Sequence, residues 1–524
     1  MDFKKLGLGA ALAVSLPALA AAQSVTVVRE LDSNKYDPPA ITALAGSEVL
    51  FMIGDTLVAL DEDMSTIHPL LAKSWEVSED GKTYTFHLRD DVTFCDGKKF
   101  TAADVVYTIK RWIDPATKSG VAWRAGDVKD VVAIDDYTVE YQLNAPFSEL
   151  LYQLAQSFGT IIDEENVKAL GADFGVTGMN GTGPFCWVSW EPRNQFVMKR
   201  HDAYKWGPAN YENPGPAKVE EIIYKVVPEG STRTVALLTN QAQISPYIPE
   251  IGLGQLRKAP NIEVVRSDQA FFTNFIGFKI DKPGMGDPAV RKAMNLAVNQ
   301  QAIAEDLFFG EVDPAYSYIS PGALDYNKEV DPILLKTDIE EAKKILDEAG
   351  WVLNSDGVRE KDGVKLEPTV YSFIGTWAKV AEAVQADLLK IGVNMQIQTF
   401  DPTVIWGKLA TQEFDMFTMG FPYVSAGDAL NLYFLSRNMP SPNRMNWNDP
   451  ETDELLAAGK AAVTGEERAA DYGKVLMKVH EAAVWIPIYH EPMQIAYSSK
   501  MAPIKPHNIY GCGLYKGLDI AYLD

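Results

Sequence analysis

The chain has 524 residues, which at about 150 residues per domain is enough for two to four domains. Its 47% hydrophobic and 23% charged residues are typical of a globular protein and unlike a disordered chain. Because 48 lysines and arginines face 71 acidic residues, the net charge is −23, which argues against nucleic acid or an anionic membrane as the main partner.

The N-terminus, residues 1–22, is predicted to be a cleaved signal peptide. Lys4 and Lys5 precede a short apolar run, and residues 18–22 offer A-x-A cleavage sites. The run is shorter than the ~20 residues that a transmembrane helix needs, so a single-pass anchor is the weaker alternative. The first cysteine is Cys95, which excludes a lipid anchor at the cleavage region. We therefore expect a periplasmic protein that is not lipid-anchored.

The three cysteines exclude a small disulfide-framework scaffold. In an oxidising compartment Cys95 and Cys186 can form a disulfide, which leaves Cys512 single. Three buried thiols are the alternative. The sequence leaves both open, because pairing requires Cα atoms within about 7 Å.

Short strands and capped helices alternate along the first half of the chain. Residues 84–88 alternate in polarity, which predicts a half-buried strand. Thr101 followed by Asp104 resembles a capping box, and we expect the helix that it opens to end at Asp114-Pro115.

The second half repeats this pattern. Asp287-Pro288, Asp338 and Asp449-Pro450 each predict a helix start. A helix through Val380 and Val384 is expected to end at Gly392, and residues 393–399 then alternate like a strand. A helix that leads directly into a strand is typical of an α/β layer.

Catalytic motifs are mostly absent from the sequence. It contains no phosphate loop, no H-E-x-x-H zinc helix and no G-x-S-x-G turn. The six histidines are isolated, so no metal site is predicted, and no cofactor is expected. Acidic residues are abundant, but sequence alone does not raise any pair to an acid/base dyad.

Two aromatic clusters without helical periodicity are candidate ligand-binding segments. Residues 371–377 and 420–428 each follow a predicted strand, over 366–370 and 414–419. Ligands of open α/β sheets bind beyond the carboxyl ends of strands. The candidate ligand contacts are the rings of these clusters and one carboxylate: Tyr371, Phe373, Trp377, Phe421, Tyr423 and Asp428. A tight turn with buried rings is the alternative interpretation.

An ordered set of motifs spreads over most of the chain. They are I-H-P-L-L-A-K-S-W-E at 67–76, D-G-K-T-Y-T-F at 80–86, V-T-F-C-D-G at 92–97, G-T-G-P-F at 181–185, D-P-A-V-R-K-A at 287–293, Q-A-D-L-L-K-I-G-V at 385–393 and W-I-P-I-Y-H at 485–490. This set resembles the family 5 extracytoplasmic solute-binding proteins, the peptide/opine/nickel type that serves ABC importers.

The resemblance implies an α/β, two-lobed periplasmic binding protein fold of class II, with mixed sheets flanked by helices. Domain I takes residues 23–55, 177–275 and 495–524. Domain II, inserted in it, takes 56–176, and domain III, the opposing lobe, takes 276–494. The hinge is expected at the two crossovers, near 275–279 and 489–497.

The resemblance also implies a receptor and not an enzyme. A monomer closes its lobes over a solute and docks on an ABC permease and ATPase complex at the inner membrane. The expected solute is a short peptide or peptide-like compound, and an opine or a saccharide-type solute is the alternative. A secreted hydrolase is the alternative from another class.

The ligand-binding residues of the family match this sequence less fully than the motifs do. Peptide-binding members hold the ligand's ammonium with an aspartate after a G-W turn. This turn is Gly420-Phe421 here, and Val424 takes the aspartate's place, with Asp428 four residues later. No arginine stands in 371–377 for a carboxylate. These two departures argue against a strict dipeptide mode, because a buried unpaired charge costs several kcal/mol.

Overall fold

The computed structural model describes residues 23–41, 44–246, 248, 250–509 and 514–523. The predicted signal peptide and Cys512 lie outside the described residues.

The α-helices are named in chain order. They are α1 Leu44–Ile53, α2 Ala102–Ile113, α3 Leu150–Leu154, α4 Glu164–Leu170, α5 Gly230–Leu238, α6 Glu250–Leu256, α7 Pro288–Ala297, α8 Gln300–Ala302, α9 Ile339–Glu348, α10 Thr376–Leu389, α11 Pro402–Ala410, α12 Ala426–Phe434, α13 Pro450–Ala461 and α14 Gly465–Glu481. A π-helical turn, Ile303–Leu307, continues α8. Short 3₁₀ turns lie at Pro38–Ala40, Pro115–Thr117, Ala122–Ala125, Ser157–Gly159, Gly171–Asp173, Lys328–Ile333 and Ser436–Asn438.

The strands are named in the same way. They are β1 Ser24–Arg29, β2 Val58–Leu60, β3 Ile67–Pro69, β4 Ala72–Val77, β5 Thr83–Leu88, β6 Val128–Asp135, β7 Thr138–Leu143, β8 Phe185–Glu191, β9 Gln195–Arg200, β10 Glu221–Val226, β11 Ile244–Pro246, β12 Ile262–Phe278, β13 Asp313–Pro314, β14 Val352–Leu353, β15 Arg359–Lys361, β16 Val364–Lys365, β17 Thr369–Phe373, β18 Gln396–Phe400, β19 Met416–Pro422 and β20 Trp485–Ser498.

One large mixed sheet runs through the protein in the order β18-β17-β19-β12-β20-β11-β1-β10-β9-β8, with β13 on β20. Its two longest strands, β12 with 17 residues and β20 with 14, are neighbours near the middle of this order. They pair antiparallel, with irregular register between Arg266 and Phe275. One half of the sheet holds β17–β19 from the later part of the chain, and the other half holds β1 and β8–β11 from the earlier part.

Residues 56–176 form a separate layer around a four-stranded antiparallel sheet, β4-β5-β7-β6. The predicted strand at 84–88 is confirmed as β5, in which buried and half-buried residues alternate. The predicted capping box is confirmed as well: Thr101 and Asp104 cap α2 reciprocally, and α2 ends at Ile113, directly before Asp114-Pro115.

The predicted helix starts in the second half are confirmed. The carboxylates of Asp287, Asp338 and Asp449 accept hydrogen bonds from backbone amides in the first turns of α7, α9 and α13. α7, α9 and α10 bury their apolar faces in one core together with side chains of the large sheet, among them Ile276 and Ile486.

Three predicted strands differ in their bounds. β17 and β19 begin and end about three residues later than predicted, and β18 begins at Gln396 instead of 393. The parallel partner of β17 explains part of the shift, because β18 pairs with it as far as Phe373 opposite Phe400. β12 similarly extends β19 to Pro422, opposite Phe272. Tyr371, Phe373 and Phe421 therefore lie inside strands and not in loops after them.

The structure forms the Cys95–Cys186 disulfide, with the two Cα atoms 5.8 Å apart. It joins the 56–176 layer to the first residues of β8. Of the two alternatives left open by the sequence, the paired state is the one observed. Within the described part of the chain, no helix is both long and apolar enough to cross a membrane.

Candidate functional site

A cavity of about 310 Å³ lies beside the middle strands of the large sheet, and we call it the central cavity. Its walls come from β12, β17, β19 and β20, from the first turn of α10 and from α11. The lining residues are Phe272, Asn274, Phe373, Thr376, Trp377, Trp406, Met419, Gly420, Tyr489 and Glu491.

Strand alternation explains why two pairs of residues reach the central cavity. Asn274 pairs with Tyr489 across β12 and β20. Residues two apart on a strand share a face, so Phe272 and Glu491 join them on the cavity side.

The residues between them form a buried polar group on the other side of the sheet. The Thr273 Oγ1 lies 2.7 Å from the Tyr423 hydroxyl and 3.0 Å from His490 Nδ1. Burial lowers the pKa of His490 to about 4. This imidazole is therefore neutral at physiological pH.

Gly420 has no side chain, and this leaves room for Phe272 and Asn274, which form the floor of the central cavity. A Cβ atom at this position would lie 2.4 Å from the Phe272 ring and 2.6 Å from Asn274 Oδ1. Such distances are far shorter than van der Waals contact, so any larger residue would displace one of these side chains.

Aromatic rings form one wall of the central cavity. The Phe373 ring centroid lies 5.6 Å from that of Trp406 and 6.5 Å from that of Trp377, which in turn lies 6.5 Å from Tyr489. Trp406 is 51% exposed, although large rings are usually well buried. The wall offers flat apolar surfaces on which a solute can stack.

Glu491 supplies the charge of the central cavity. Among the described residues that line it, Glu491 is the one carboxylate, and there is no lysine, arginine or histidine. The Asn274 side-chain amide donates a hydrogen bond of 3.3 Å to Glu491 Oε2. The cavity therefore combines an apolar wall with a polar, negatively charged corner.

The structure brings two of the six predicted ligand contacts to this cavity, Phe373 and Trp377. Tyr371 is buried instead and packs on Phe400 and Phe414. Phe421 is half-buried, and its ring meets Tyr433 edge-on at 5.5 Å. Neither ring is part of the described lining of the central cavity.

Tyr423 is 3% exposed and serves as a buried link between elements. Its hydroxyl accepts a hydrogen bond of 2.6 Å from the Ser320 backbone amide in addition to its contact with Thr273. Burial raises the pKa of Tyr423 well above its ordinary value, so the phenol stays neutral. These bonds favour the buried-ring alternative at this position.

Asp428 is 1% exposed in the first turn of α12. Its Oδ1 lies 3.0 Å from Nη2 of Arg124. The other face of this guanidinium is covered, since Arg124 lies over the rings of Trp123 and Phe158. The carboxylate thus faces a cation that belongs to the protein itself. Its role as a ligand contact stays a prediction.

The Arg124–Asp428 pair is part of a larger set of contacts between the 56–176 layer and residues 276–494. We call this set the interface network: Arg124, Glu149, Ser425, Asp428 and Arg468. The Ser425 hydroxyl donates to Glu149 Oε1 at 2.7 Å. Arg468 forms an ion pair with Asp325 at 2.7 Å and donates to the Ser148 carbonyl at 3.1 Å.

Glu149 is the acid of the interface network whose proton affinity is most changed. Burial raises its pKa to about 7, against the opposing effect of the Arg468 charge. A sizeable fraction of Glu149 therefore carries a proton near neutral pH.

One group of described residues has the donor spacing of a metal site: Cys95, Cys186 and His201, whose donor atoms lie within 4.8 Å of one another. Two of its three donors are joined in the disulfide. Cysteine binds a metal ion as a thiolate. With Cys95 and Cys186 joined in a disulfide, this group therefore fits a metal ion poorly.

The sequence did not point to Asn274, Trp406, Met419 or Glu491. A signal for Glu491 exists: it is the single charged residue in the otherwise mostly apolar run from 485 to 498. Asn274 and Trp406 have no such signal, since their place in the cavity depends on strand pairing between distant segments.

Comparison with known proteins identifies the family. Residues 66–441 match the model of bacterial extracellular solute-binding proteins, family 5 Middle. The chain belongs to this family. The glutathione-binding protein GsiB of Salmonella typhimurium is 28% identical to this family 5 protein over 507 residues, 95% of this chain and 94% of the relative.

Solved structures show the same fold. NikA from Brucella suis, in complex with Fe(III)-EDTA, superposes with a TM-score of 0.84 at 24% identity, covering 95% of this chain and 100% of that one. The oligopeptide-binding protein AppA of Bacillus subtilis, in complex with a nonapeptide, gives 0.78 at 22% identity and covers 96% and 100%. The predicted two-lobed α/β fold is confirmed. This family 5 protein is a solute-binding component of an ABC import system, and its relatives are named as binding proteins.

Proposed function

We propose that this family 5 protein captures a short peptide or peptide-like solute in the central cavity and delivers it to an ABC permease. The observation that supports this most directly is the composition of the cavity. It has a wall of stacking rings and one polar, charged corner, on the strands that connect the two halves of the large sheet.

The size of the cavity favours a small solute. Ligand cavities in proteins span about 300–1,000 Å³, and the central cavity, at about 310 Å³, lies at the lower end. This favours a dipeptide- or tripeptide-sized compound over a long peptide. Among the relatives, GsiB is named for glutathione, itself a tripeptide. An opine or a saccharide-type solute remains the alternative within the same site.

We infer that binding closes two lobes. One lobe consists of domains I and II, residues 23–275 and 495–524, and the other consists of domain III, residues 276–494. β12 and β20 cross between them, and we place the hinge where it was predicted, near 275–279 and 489–497. The irregular register of the ladder between Arg266 and Phe275 adjoins this segment. A solute that contacts both lobes stabilises the closed form by its higher affinity for it. The protein acts as an exported, periplasmic monomer.

Most hydrolases that act on saccharides need two carboxylates about 5–9.5 Å apart. The described lining of the central cavity has one, Glu491. The same lining therefore favours a receptor that returns its ligand unchanged.

The experiment is isothermal titration calorimetry of the protein with a dipeptide and tripeptide panel, guided by mass spectrometry of small molecules released on denaturation. Trp406→Ala should weaken one-to-one binding about tenfold, because it removes a stacking ring from the wall. The melting temperature should hardly change, since Trp406 is half exposed.

Leu353→Ala is the matched control, an exposed apolar residue on β14, and should leave affinity unchanged. Equal affinity of the Trp406→Ala and wild-type proteins would place the ligand elsewhere. Recovery of a cleaved ligand would favour the hydrolase.

A further inference from the structure

We propose that Cys95, Cys186 and His201 form a redox-gated site for Zn²⁺, which is closed while the two cysteines are paired and opens when a dithiol reduces them. The inference is independent of the proposed function, because these three residues are not part of the described lining of the central cavity.

Strand register explains why the three side chains meet. Cys186 in β8 pairs with Lys199 in β9. His201 lies two residues after Lys199, and residues two apart on an extended chain share a face, so its ring lies on the same side as the Cys186 side chain. Cys95 reaches them from the segment between β5 and α2, where its amide donates to the Gly181 carbonyl at 3.0 Å. The donor atoms of the two cysteines and the histidine lie within 4.8 Å of one another.

This spacing of donor atoms is close to that of a zinc site. Tetrahedral bonds of about 2.3 Å to sulfur and about 2.0–2.1 Å to nitrogen place neighbouring donors about 3.6–3.8 Å apart. Once the S–S bond is open, rotation about the bonds of the two cysteine side chains lets the sulfur atoms approach this spacing. Three protein ligands leave the fourth position of the metal to water, as in other zinc sites with three protein ligands.

His201 is held in the form that binds a metal. Its Nδ1 lies 3.0 Å from the Gly183 carbonyl oxygen. This oxygen can only accept a hydrogen bond, so the proton is on Nδ1 and the lone pair of the ring is on Nε2. A hydrogen bond of this kind fixes the ring orientation and the tautomer of metal-binding histidines. The side chain is also buried, at 6% exposure, so little rotamer freedom remains to be lost when a metal binds.

The charge and the accessibility of the site also fit a divalent cation. Two thiolates and a neutral imidazole carry two negative charges, which one Zn²⁺ neutralises, and both groups are ligands that zinc prefers. Cys186 is buried, whereas Cys95 is half-buried. A reductant and a metal ion therefore reach the pair from the side of Cys95.

The S–S bond is the gate of the proposed site. A dithiol gives up two electrons and two protons and is oxidised to its own disulfide, and Cys95 and Cys186 become thiols. Zn²⁺ then displaces both thiol protons to solvent and binds the two sulfur atoms and the imidazole. Oxidation of the pair removes the thiolates and releases the metal. The metal and the disulfide therefore exclude each other.

The test titrates Zn²⁺ into the protein after reduction with dithiothreitol and anaerobic removal of this reductant, with a chromophoric chelator as competitor. Every protein in the test carries Cys512→Ser, so that the pair supplies all the thiols of the three-cysteine chain. We expect each reduced chain to hold one Zn²⁺ against the competitor and the oxidised chain to hold none. Cd²⁺ in place of Zn²⁺ should give an ultraviolet charge-transfer band from thiolate to metal.

Substitutions identify the ligands. His201→Ala should weaken zinc binding at least about tenfold, because even changes outside the first ligand shell cost that much. His201→Cys, which supplies a thiolate instead, should regain tight binding, and Cys95→Ser should lose it. His87→Ala, which changes a partly exposed histidine on β5, is the matched control and should bind like its parent. Zinc should also slow re-formation of the disulfide in air, and less so in His201→Ala.

Three results would overturn the inference. Equal zinc binding by the reduced and the oxidised chains would place the metal elsewhere. A folded His201→Ala protein that binds as tightly as its parent would remove the histidine from the site. Circular dichroism follows folding, and a reduced chain that loses its fold and does not regain it with Zn²⁺ contradicts the site as well. The test of the central cavity by Trp406→Ala is unaffected by any of these results.

Discussion

Acidic residues have opposite surroundings in two regions of the protein. In the interface network, Asp428 and Glu149 are buried, and each meets a partner from another segment, Arg124 or Ser425. In the central cavity, Glu491 is exposed beside aromatic rings. The comparison shows that acidic residues occupy a buried interface in one region and the lining of a cavity in the other. The sequence alone, in which all three are acids near aromatic residues, does not separate them.

The largest effect is expected from a substitution that breaks the interface network. Arg124→Ala leaves Asp428 buried without its cation, so the free energy of unfolding should fall by about 3–5 kcal/mol. Urea denaturation without ligand measures it. Asp428→Asn should lower stability more than affinity; a loss of affinity with unchanged stability would instead make Asp428 a ligand contact.

The control is Arg200→Ala, which removes a pair with Asp202, an 80% exposed side chain. Such a pair contributes less than about 1 kcal/mol. A loss in Arg124→Ala as small as the control's would contradict the structural role of the buried pair.

The pH dependence of stability sharpens the comparison. The folded-state pKa of Glu149 is raised from 4.5 to about 7, so the folded protein holds this proton more tightly than the unfolded chain. The free energy of unfolding should therefore fall as pH rises from about 4.5 to 7, by up to about 1.4 kcal/mol per pH unit. Glu149→Gln should remove this contribution and be more stable than wild type at pH 8.

Urea denaturation of the Glu149→Gln and wild-type proteins at several pH values checks this. Glu340→Gln, an exposed acid on α9, serves as the control and should leave the profile unchanged. A difference between Glu149→Gln and wild type that does not vary with pH would show that Glu149 is ionised throughout.

The smallest expected effect concerns the cavity floor. Gly420→Ala places a methyl group against Phe272 and Asn274 and should cost about 1–3 kcal/mol of stability, the range for overpacking. The affinity for the solute should fall as well, because Phe272 and Asn274 line the central cavity. Gly407→Ala, where a Cβ atom meets nothing within 4 Å, is the control. An unchanged affinity in Gly420→Ala would separate the floor from the binding site.

The sequence predicted the local structure of this protein well, and for identifiable reasons. The residues Thr101, Asp287 and Asp449 cap the first turns of the helices that they precede. Residues close together in sequence are therefore enough to predict where these helices start. Where strands end depends on partners far away in the chain. For this reason β17 and β19 continue through residues that looked like loops.

The candidate site was predicted in part. Phe373 and Trp377 stand near the junction of β17 and α10, which short-range patterns reveal. Asp428 resembled a ligand contact because its partner, Arg124, lies 304 positions away in sequence. Glu491 and Asn274 come together through pairing between segments 217 residues apart, and no local pattern contains that information.

The position of Asn274 on β12 has a consequence for the proposed lobe closure. Asn274 belongs to one of the two strands shared by both halves of the large sheet, whereas Trp406 belongs to α11, in one half only. Under the proposed function, a solute that contacts both Asn274 and Trp406 bridges these two parts of the protein. A twist of β12 would then change the distance between its two contacts, so that occupancy of the central cavity and the angle between the halves would be mechanically coupled.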